Sequence, residues 1–193
     1  VPRPETEHVV ETVLEHLGAT PASVLELGTG TGCIAVSIAH AAPNASILAT
    51  DINPHAISLA RRNTERHGVS DRVALREGDL FAALEPTDGP FAVICSNPPY
   101  VEESAWEDLD PVIRIHEDPK ALLAGHDGLD IIRAIIAEAK NWLAPRGLLA
   151  FEVGMGQYDP VRDLLHDHHY EEIRVVRDLA GIERVAVAGK PQA

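Results

Sequence analysis

A chain of 193 residues, 45% apolar and 24% charged, can bury a sizeable core and has the composition of a globular protein. Its net charge of −14, from 16 basic and 30 acidic residues, argues against tight binding to a phosphate backbone, which needs Lys and Arg to displace counterions. No apolar run reaches the ~18 residues of a membrane span, no signal peptide is legible, and Cys33 and Cys95 lack CxxC spacing and read as buried free thiols of a reducing, cytoplasmic compartment.

After VPRPETE (1–7), Val9, Val10, Val13, Leu14 and Leu17 recur at helical spacing, and Gly18 marks a stop. SVLELG (23–28) predicts a short buried strand that runs into glycines. CIAVSIAHAA (33–42) predicts a helix ending at Pro43, and SILATD (46–51) a second strand. PHAISLARRNTERHG (54–68) predicts a helix with Asn53 as N-cap, Pro54 in the first position and Gly68 as the stop. RVALREGD (72–79) and FAVICS (91–96) are the third and fourth strands. Residues 101–126 have weak periodicity and read as loop with short helices.

GLDIIRAIIAEAKNWL (128–143) is a long amphipathic helix, GLLAFEVG (147–154) a fifth strand and YDPVRDLLHDHH (158–169) a helix. EEIRVVRD (171–178) and GIERVAVAGK (181–190) are strands joined so tightly, at Leu179–Gly181, that they must run antiparallel. Alternation of strand and helix predicts an α/β fold. Its seven-stranded sheet is mostly parallel and closes with an antiparallel C-terminal hairpin. The whole chain, 1–193, reads as a single domain.

The segment ELGTGTG (26–32) joins the first strand to the first crossover helix. Gly28, Gly30 and Gly32 allow a sharp turn and the close approach of a ligand. The spacing is GxGxG and not the dinucleotide pattern GxGxxG. Glu26, just before the loop, is a poor neighbour for a pyrophosphate and suits a ligand with a positive charge. S-adenosylmethionine has an ammonium, a sulfonium and no phosphate. Asp51, at the end of the second strand, is placed to accept the hydrogens of a ribose diol. Asp79, at the end of the third, is placed to accept from an adenine amino group, with Leu80 as an apolar wall. A tight turn, a helix N-terminal charge and a solvated turn acid are the alternative readings of these features.

The fourth strand runs into SNPPY (96–100), where two prolines cannot continue a ladder. Asn97 therefore sits at the strand tip on a stiff turn. A planar amide or aryl amine is a weak nucleophile, because its lone pair is delocalised. Asn97 Oδ1 and the Pro98 carbonyl can accept its two N–H hydrogens and turn the lone pair toward a methyl donor. Tyr100 can stack on the planar group. Catalysis would rest on alignment and desolvation, with no tuned general base. A stiff turn with a buried asparagine is the alternative.

Taken together these residues resemble a class I, Rossmann-like S-adenosylmethionine-dependent methyltransferase. The order and spacing of VPRPETE (1–7), ELGTGTGCIAVSIA (26–39), ATDINPHAISLARRN (49–63), SNPPYV (96–101), HEDPKALLAGHDGLDIIR (116–133) and DLAGIERVAVAGK (178–190) are similar to the catalytic domain of the release factor glutamine N5-methyltransferases (the HemK/PrmC family). That resemblance implies a cofactor site formed by Glu26, Gly28, Thr29, Gly30, Thr31, Gly32, Asp51, Ile52, Asp79, Leu80 and Asn97. It implies that Asn97, Pro98, Pro99 and Tyr100 hold the glutamine amide of a Gly-Gly-Gln loop in a release factor, yielding N5-methylglutamine and S-adenosylhomocysteine. Arg3, Glu5 and Glu7 would support the mouth of the site. The family usually carries an N-terminal helical domain that grips the release factor. None is expected within these residues, and the start at Val1 reads as that of an excised segment.

Other features are set aside. HDHH (166–169) lies at a helix end without a partner cluster, so no metal is expected. WEDLD (106–110) is either a solvated acidic face or a surface for a basic loop. Competing functions are an adenine-N6 DNA methyltransferase, since NPPY suits that acceptor too, a ribosomal-protein glutamine methyltransferase, and a cofactor-binding module without turnover. No direct binding to DNA or membrane is expected.

Overall fold

The computed structural model describes residues 4–116 and 118–192. Seven strands form one sheet: β1 (Ala22–Leu27), β2 (Ala45–Asp51), β3 (Val73–Glu77), β4 (Phe91–Ser96), β5 (Leu143–Glu152), β6 (Glu171–Arg177) and β7 (Glu183–Gly189). Their order is β3-β2-β1-β4-β5-β7-β6. The first five are parallel; β6 and β7 form the antiparallel hairpin that the sequence predicts, and β7 also runs antiparallel to β5.

Among the described residues there are six α-helices: α1 (Glu7–Leu17), α2 (Cys33–Ala41), α3 (Pro54–Arg66), α4 (Pro111–His116), α5 (Asp130–Trp142) and α6 (Tyr158–Asp167). Side chains alternate along each strand, so the central strands feed two cores. Val24, Ile47, Val93, Cys95 and Val187 pack beneath α1 and α2. Leu25, Leu48, Ile94, Leu149 and Phe151 pack beneath α5 and α6 on the other side. Burial on both faces explains why β1 and β4 read as near-continuous apolar runs. Cys95 is fully buried, whereas Cys33 is only partly so.

The N-cap reading at Asn53 holds: its side chain accepts from His55 N–H at 2.9 Å, with Pro54 beginning the helix. β5 starts earlier than expected. It begins at Leu143, directly after α5, because Leu143 already pairs with Phe91. The register then jumps to Val93–Leu148, and Arg146, at φ 63°, absorbs the extra residues. β3 is shorter than expected and stops at Glu77, leaving Asp79 on the following turn. No helix among the described residues is long and apolar enough to cross a membrane.

The strand order positions the site. After β1 the chain moves to β2 and β3, then returns to place β4 on the other side of β1. Ligands bind at such a switch point, beyond the carboxyl ends of the strands. Leu27 and Ser96, the last residues of β1 and β4, are register partners. Ser96 Oγ donates to the Leu27 carbonyl at 2.8 Å. The glycine loop and the Asn97 turn therefore emerge side by side.

Candidate active site

A cavity of about 830 Å³ opens at this switch point, within the usual range for small-molecule sites. It is lined by Glu26, Gly28, Thr29, Gly30, Thr31, Asp51, Ile52, Asp79, Leu80, Asn97, Pro98, Pro99 and Tyr100. Gly32 alone of the residues implied by resemblance does not line it. At φ 79° it starts α2, and a Cβ there would lie 3.0 Å from Ala60 Cβ. Its absent side chain lets α2 and α3 approach, which is a packing role.

The glycine loop is held from two sides. Asp51 Oδ2 accepts from Gly30 N–H at 2.8 Å, and its Oδ1 accepts from Asn53 N–H at 2.8 Å. Thr29 N–H donates to the Thr50 carbonyl at 2.8 Å. One carboxylate thus ties the loop after β1 to the loop after β2. Each of its oxygens keeps a second lone pair for a ligand.

Glu26 is buried in the strand below. Its Oε2 accepts from Thr29 Oγ1 at 2.7 Å and from Ala35 N–H at 3.1 Å. Its Oε1 is buried and has no hydrogen-bond partner. Burial pushes its carboxyl up to about 8, against the opposing pull of the Thr29 and Ala35 bonds, and the nearby Asp51 charge adds a smaller push. A cavity-lining acceptor with one unmade bond is a place for a cationic donor.

Leu80 lies at φ 45°, a conformation uncommon for a leucine, at the start of a 3-10 helix (Leu80–Ala83). Ile52 is well exposed and also lines the cavity. These two supply apolar surface, while Asp79 lines the rim.

The Asn97 turn is fixed by groups from distant parts of the chain. Asn97 Nδ2 donates to Thr6 Oγ1 at 2.9 Å, and Thr6 Oγ1 donates to Glu152 Oε2 at 2.9 Å. Tyr100 Oη donates to Glu152 Oε1 at 3.3 Å. Gln157 Nε2 donates to the Tyr100 carbonyl at 2.9 Å, while Gln157 Oε1 accepts from Gly154 N–H at 2.9 Å. A Cβ on Gly128 would meet the Tyr100 carbonyl oxygen at 2.4 Å. The GHDGLD stretch therefore buttresses the turn from behind. Asp127, held low by the Arg133 guanidinium, pins that stretch in place.

With Nδ2 engaged, Oδ1 is the end of the Asn97 amide left for the cavity, beside the stiff Pro98-Pro99 pair. Such an arrangement can grip a planar NH₂ group. One further wall comes from residues after the turn. Val101 bridges to Leu123, so Leu122 and Leu123 line the cavity with Lys120 nearby.

Of the N-terminal residues expected to support the mouth, Arg3 lies outside the described residues. Glu5 pairs with Arg184 at 3.7 Å, and Glu7 is exposed. Arg184 also bonds Asp178 Oδ2 at 2.8 Å, and Asp178 Oδ1 accepts from the N–H groups of Ala180 and Ile182. The stretches VPRPETE and DLAGIER, at opposite ends of the chain, thus meet through the Glu5–Arg184 ion pair. Thr6, Glu152 and Gln157 were not singled out from sequence. Thr6 had a local signal, since it lies within VPRPETE. Glu152, on a strand rich in apolar residues, had only its oddity as a buried charge. Among the described residues no group of three His, Cys, Asp or Glu side chains could hold a metal ion.

The family model "Methyltransferase small domain" matches residues 6–124. A release factor glutamine methyltransferase of Gloeobacter violaceus is 45% identical over 189 residues, covering 97% of this chain and 65% of the relative. One from Bacillus cereus is 36% identical over 193 residues, covering 97% and 68%. The chain thus spans about two thirds of the length of these curated relatives, and less than that of the first. Among solved structures, a release-factor-specific protein-(glutamine-N5) methyltransferase from Alicyclobacillus acidocaldarius superposes with a TM-score of 0.60. It is 29% identical, with 99% of this chain and 94% of that one covered.

Proposed function

The chain belongs to the release factor glutamine methyltransferases, within the methyltransferase small domain family, and on that premise we propose that it methylates the side-chain amide nitrogen of the Gly-Gly-Gln glutamine in a release factor. The observation that carries the proposal is the Asn97 carboxamide. Its Nδ2 is committed to Thr6, which leaves Oδ1 as the accepting end of a residue that lines the cavity with two prolines and Tyr100.

The residues present fit S-adenosylmethionine as the methyl donor. When bound, that cofactor supplies a methyl group on a positively charged sulfur. The buried, unpartnered Oε1 of Glu26 is an acceptor for its ammonium group. Asp51 would hold the ribose hydroxyls with its remaining lone pairs, and Ile52 and Leu80 would flank the adenine, with Asp79 at its amino edge. Gly28 and Gly30 lack the side chains that would fill this cradle.

On the acceptor side, Asn97 Oδ1 and the Pro98 carbonyl would each accept one hydrogen of the glutamine NH₂. Engaging both hydrogens weakens the conjugation of the nitrogen and aims its lone pair across the cavity. Tyr100, braced at its hydroxyl by Glu152 and at its carbonyl by Gln157, offers a flat face to the amide. Proton loss can follow methyl transfer, when the nitrogen has become cationic and acidic. The site's contribution is therefore orientation and exclusion of water.

An NPPY clamp also suits the exocyclic amine of adenine. The charge of −14 favours a protein acceptor over a polyanion. A radiolabelled methyl assay with three acceptors, a release factor, a ribosomal protein and adenine-containing DNA, separates the readings. The account predicts label on the release factor. Label on DNA alone would replace the proposal with the base-methylating reading.

A further inference from the structure

A carboxamide is nearly symmetric in shape, but its two ends are opposite in hydrogen-bond character. If the Asn97 amide turned over, it would offer two donors to an acceptor NH₂ group and the clamp would be lost. Something must fix its direction, and the groups that do so lie outside the SNPPY turn. Asn97 Nδ2 donates to Thr6 Oγ1 at 2.9 Å, while the Thr6 hydroxyl proton is already given to Glu152 Oε2 at 2.9 Å. A carboxylate only accepts, so the chain of bonds runs one way, from Asn97 through Thr6 to Glu152.

Thr6 is an unusual place to find such a relay. It occupies the N-cap position of α1, where a threonine hydroxyl ordinarily bonds its own helix. Here it makes no cap bond. Its oxygen is spent on residues 91 and 146 positions away. Thr6 and Glu152 are both buried, at 5% and 3% exposure, where a donor left without its acceptor is costly. The same Glu152 also accepts from Tyr100 Oη, so one carboxylate registers both ends of the turn.

We propose that Thr6 and Glu152 are positioning residues that set the direction of the Asn97 carboxamide and so keep Oδ1 toward the methyl acceptor. This rests on reading Asn97 as the acceptor clamp. The test compares Thr6→Val, which keeps the shape and removes the hydroxyl, with Thr6→Ser, which keeps the hydroxyl. Two readouts are taken on the full chain. One is the solvent exchange of the Asn97 side-chain NH₂ protons by NMR, without cofactor or substrate. The other is methyl transfer to a release factor, resolved into kcat and KM.

In Thr6→Val, exchange of those protons should accelerate. kcat should fall roughly tenfold, the scale of one lost hydrogen bond, with KM and cofactor Kd within about twofold. Thr6→Ser should restore both. Wild-type exchange and kcat in Thr6→Val would overturn the proposal, as would a defect in KM alone. If Thr6→Val does not fold, Glu152→Gln is read instead: kcat should fall with cofactor Kd unchanged, and an unchanged kcat would overturn the relay. Wild-type protein that methylates no release factor would refute the proposed function, while the exchange readout would still decide the relay.

Discussion

Replacing Glu26 with Gln should stabilise the cofactor-free protein at alkaline pH and at the same time weaken cofactor binding. The carboxyl rises from an ordinary 4.5 to about 8 in the folded state because it is wholly buried with one oxygen unpartnered. A folded-state value above the unfolded one means that the native protein binds more protons between these limits. Stability from this group is therefore fully present below pH 4.5 and is lost as pH rises through about 8. The shift is worth roughly 5 kcal/mol across the whole window, at about 1.4 kcal/mol per pH unit. Gln keeps the shape and can still accept from Thr29 and Ala35, but it does not titrate. The gap in unfolding free energy between Glu26→Gln and wild type should thus widen by several kcal/mol from pH 5 to pH 8, as measured by denaturant titration. An ammonium at Oε1 would favour the ionised form, so wild-type protein should release a proton on binding S-adenosylmethionine at pH 7. Calorimetry in buffers of different ionisation enthalpy reads that proton directly. Loss of a charge-assisted bond should weaken binding in Glu26→Gln by about 1.5–3 kcal/mol. Parallel pH–stability curves for the two proteins, or equal affinity with no proton release, would refute the reasoning.

Three further substitutions probe the rest of the site. Asn97→Ala should lower turnover at least about a hundredfold by removing the amide's alignment, with cofactor affinity largely kept; near-normal methyl transfer would remove Asn97 from the clamp. Asp51→Ala should weaken cofactor binding by about 1–3 kcal/mol, because it loses the ribose contacts and also releases Gly30 and Asn53 from each other. An unchanged Kd by calorimetry would exclude Asp51 from the site. Gly128→Ala should reduce stability by about 1–3 kcal/mol and impair turnover more than cofactor binding. Its φ is 71°, and its Cβ would press on the Tyr100 carbonyl oxygen and on Gln157 Nε2 at 2.6 Å. A fully active, equally stable variant would show that the GHDGLD stretch does not brace the turn.

The strands, the crossover helices and the closing hairpin were legible because each is written locally: apolar runs, a capping Asn53 before Pro54, glycines at stops. The lining of the cavity was legible for the same reason, since Glu26, Gly28, Gly30 and Asp51 lie at strand ends where the α/β topology gathers them. What could not be read was cooperation across the chain. Thr6 and Glu152 are 146 positions apart, and no local pattern announces that a threonine at a helix N-cap spends its hydroxyl on a strand carboxylate. The packing of Gly32 against Ala60 was not legible either, because a packing glycine and a cradle glycine look alike in sequence. The early start of β5 was hidden by Pro145 and Gly147, which suggested a turn where Leu143 already pairs with Phe91.

The central claim is that this turn grips a glutamine amide. Tandem mass spectrometry of a release factor incubated with the protein and S-adenosylmethionine tests it most directly. The account predicts a single added methyl, on the side chain of the Gly-Gly-Gln glutamine, absent when Asn97→Ala replaces the wild type. A methyl group on any other residue, or an unmodified glutamine alongside methylated adenine in a parallel DNA sample, would contradict it.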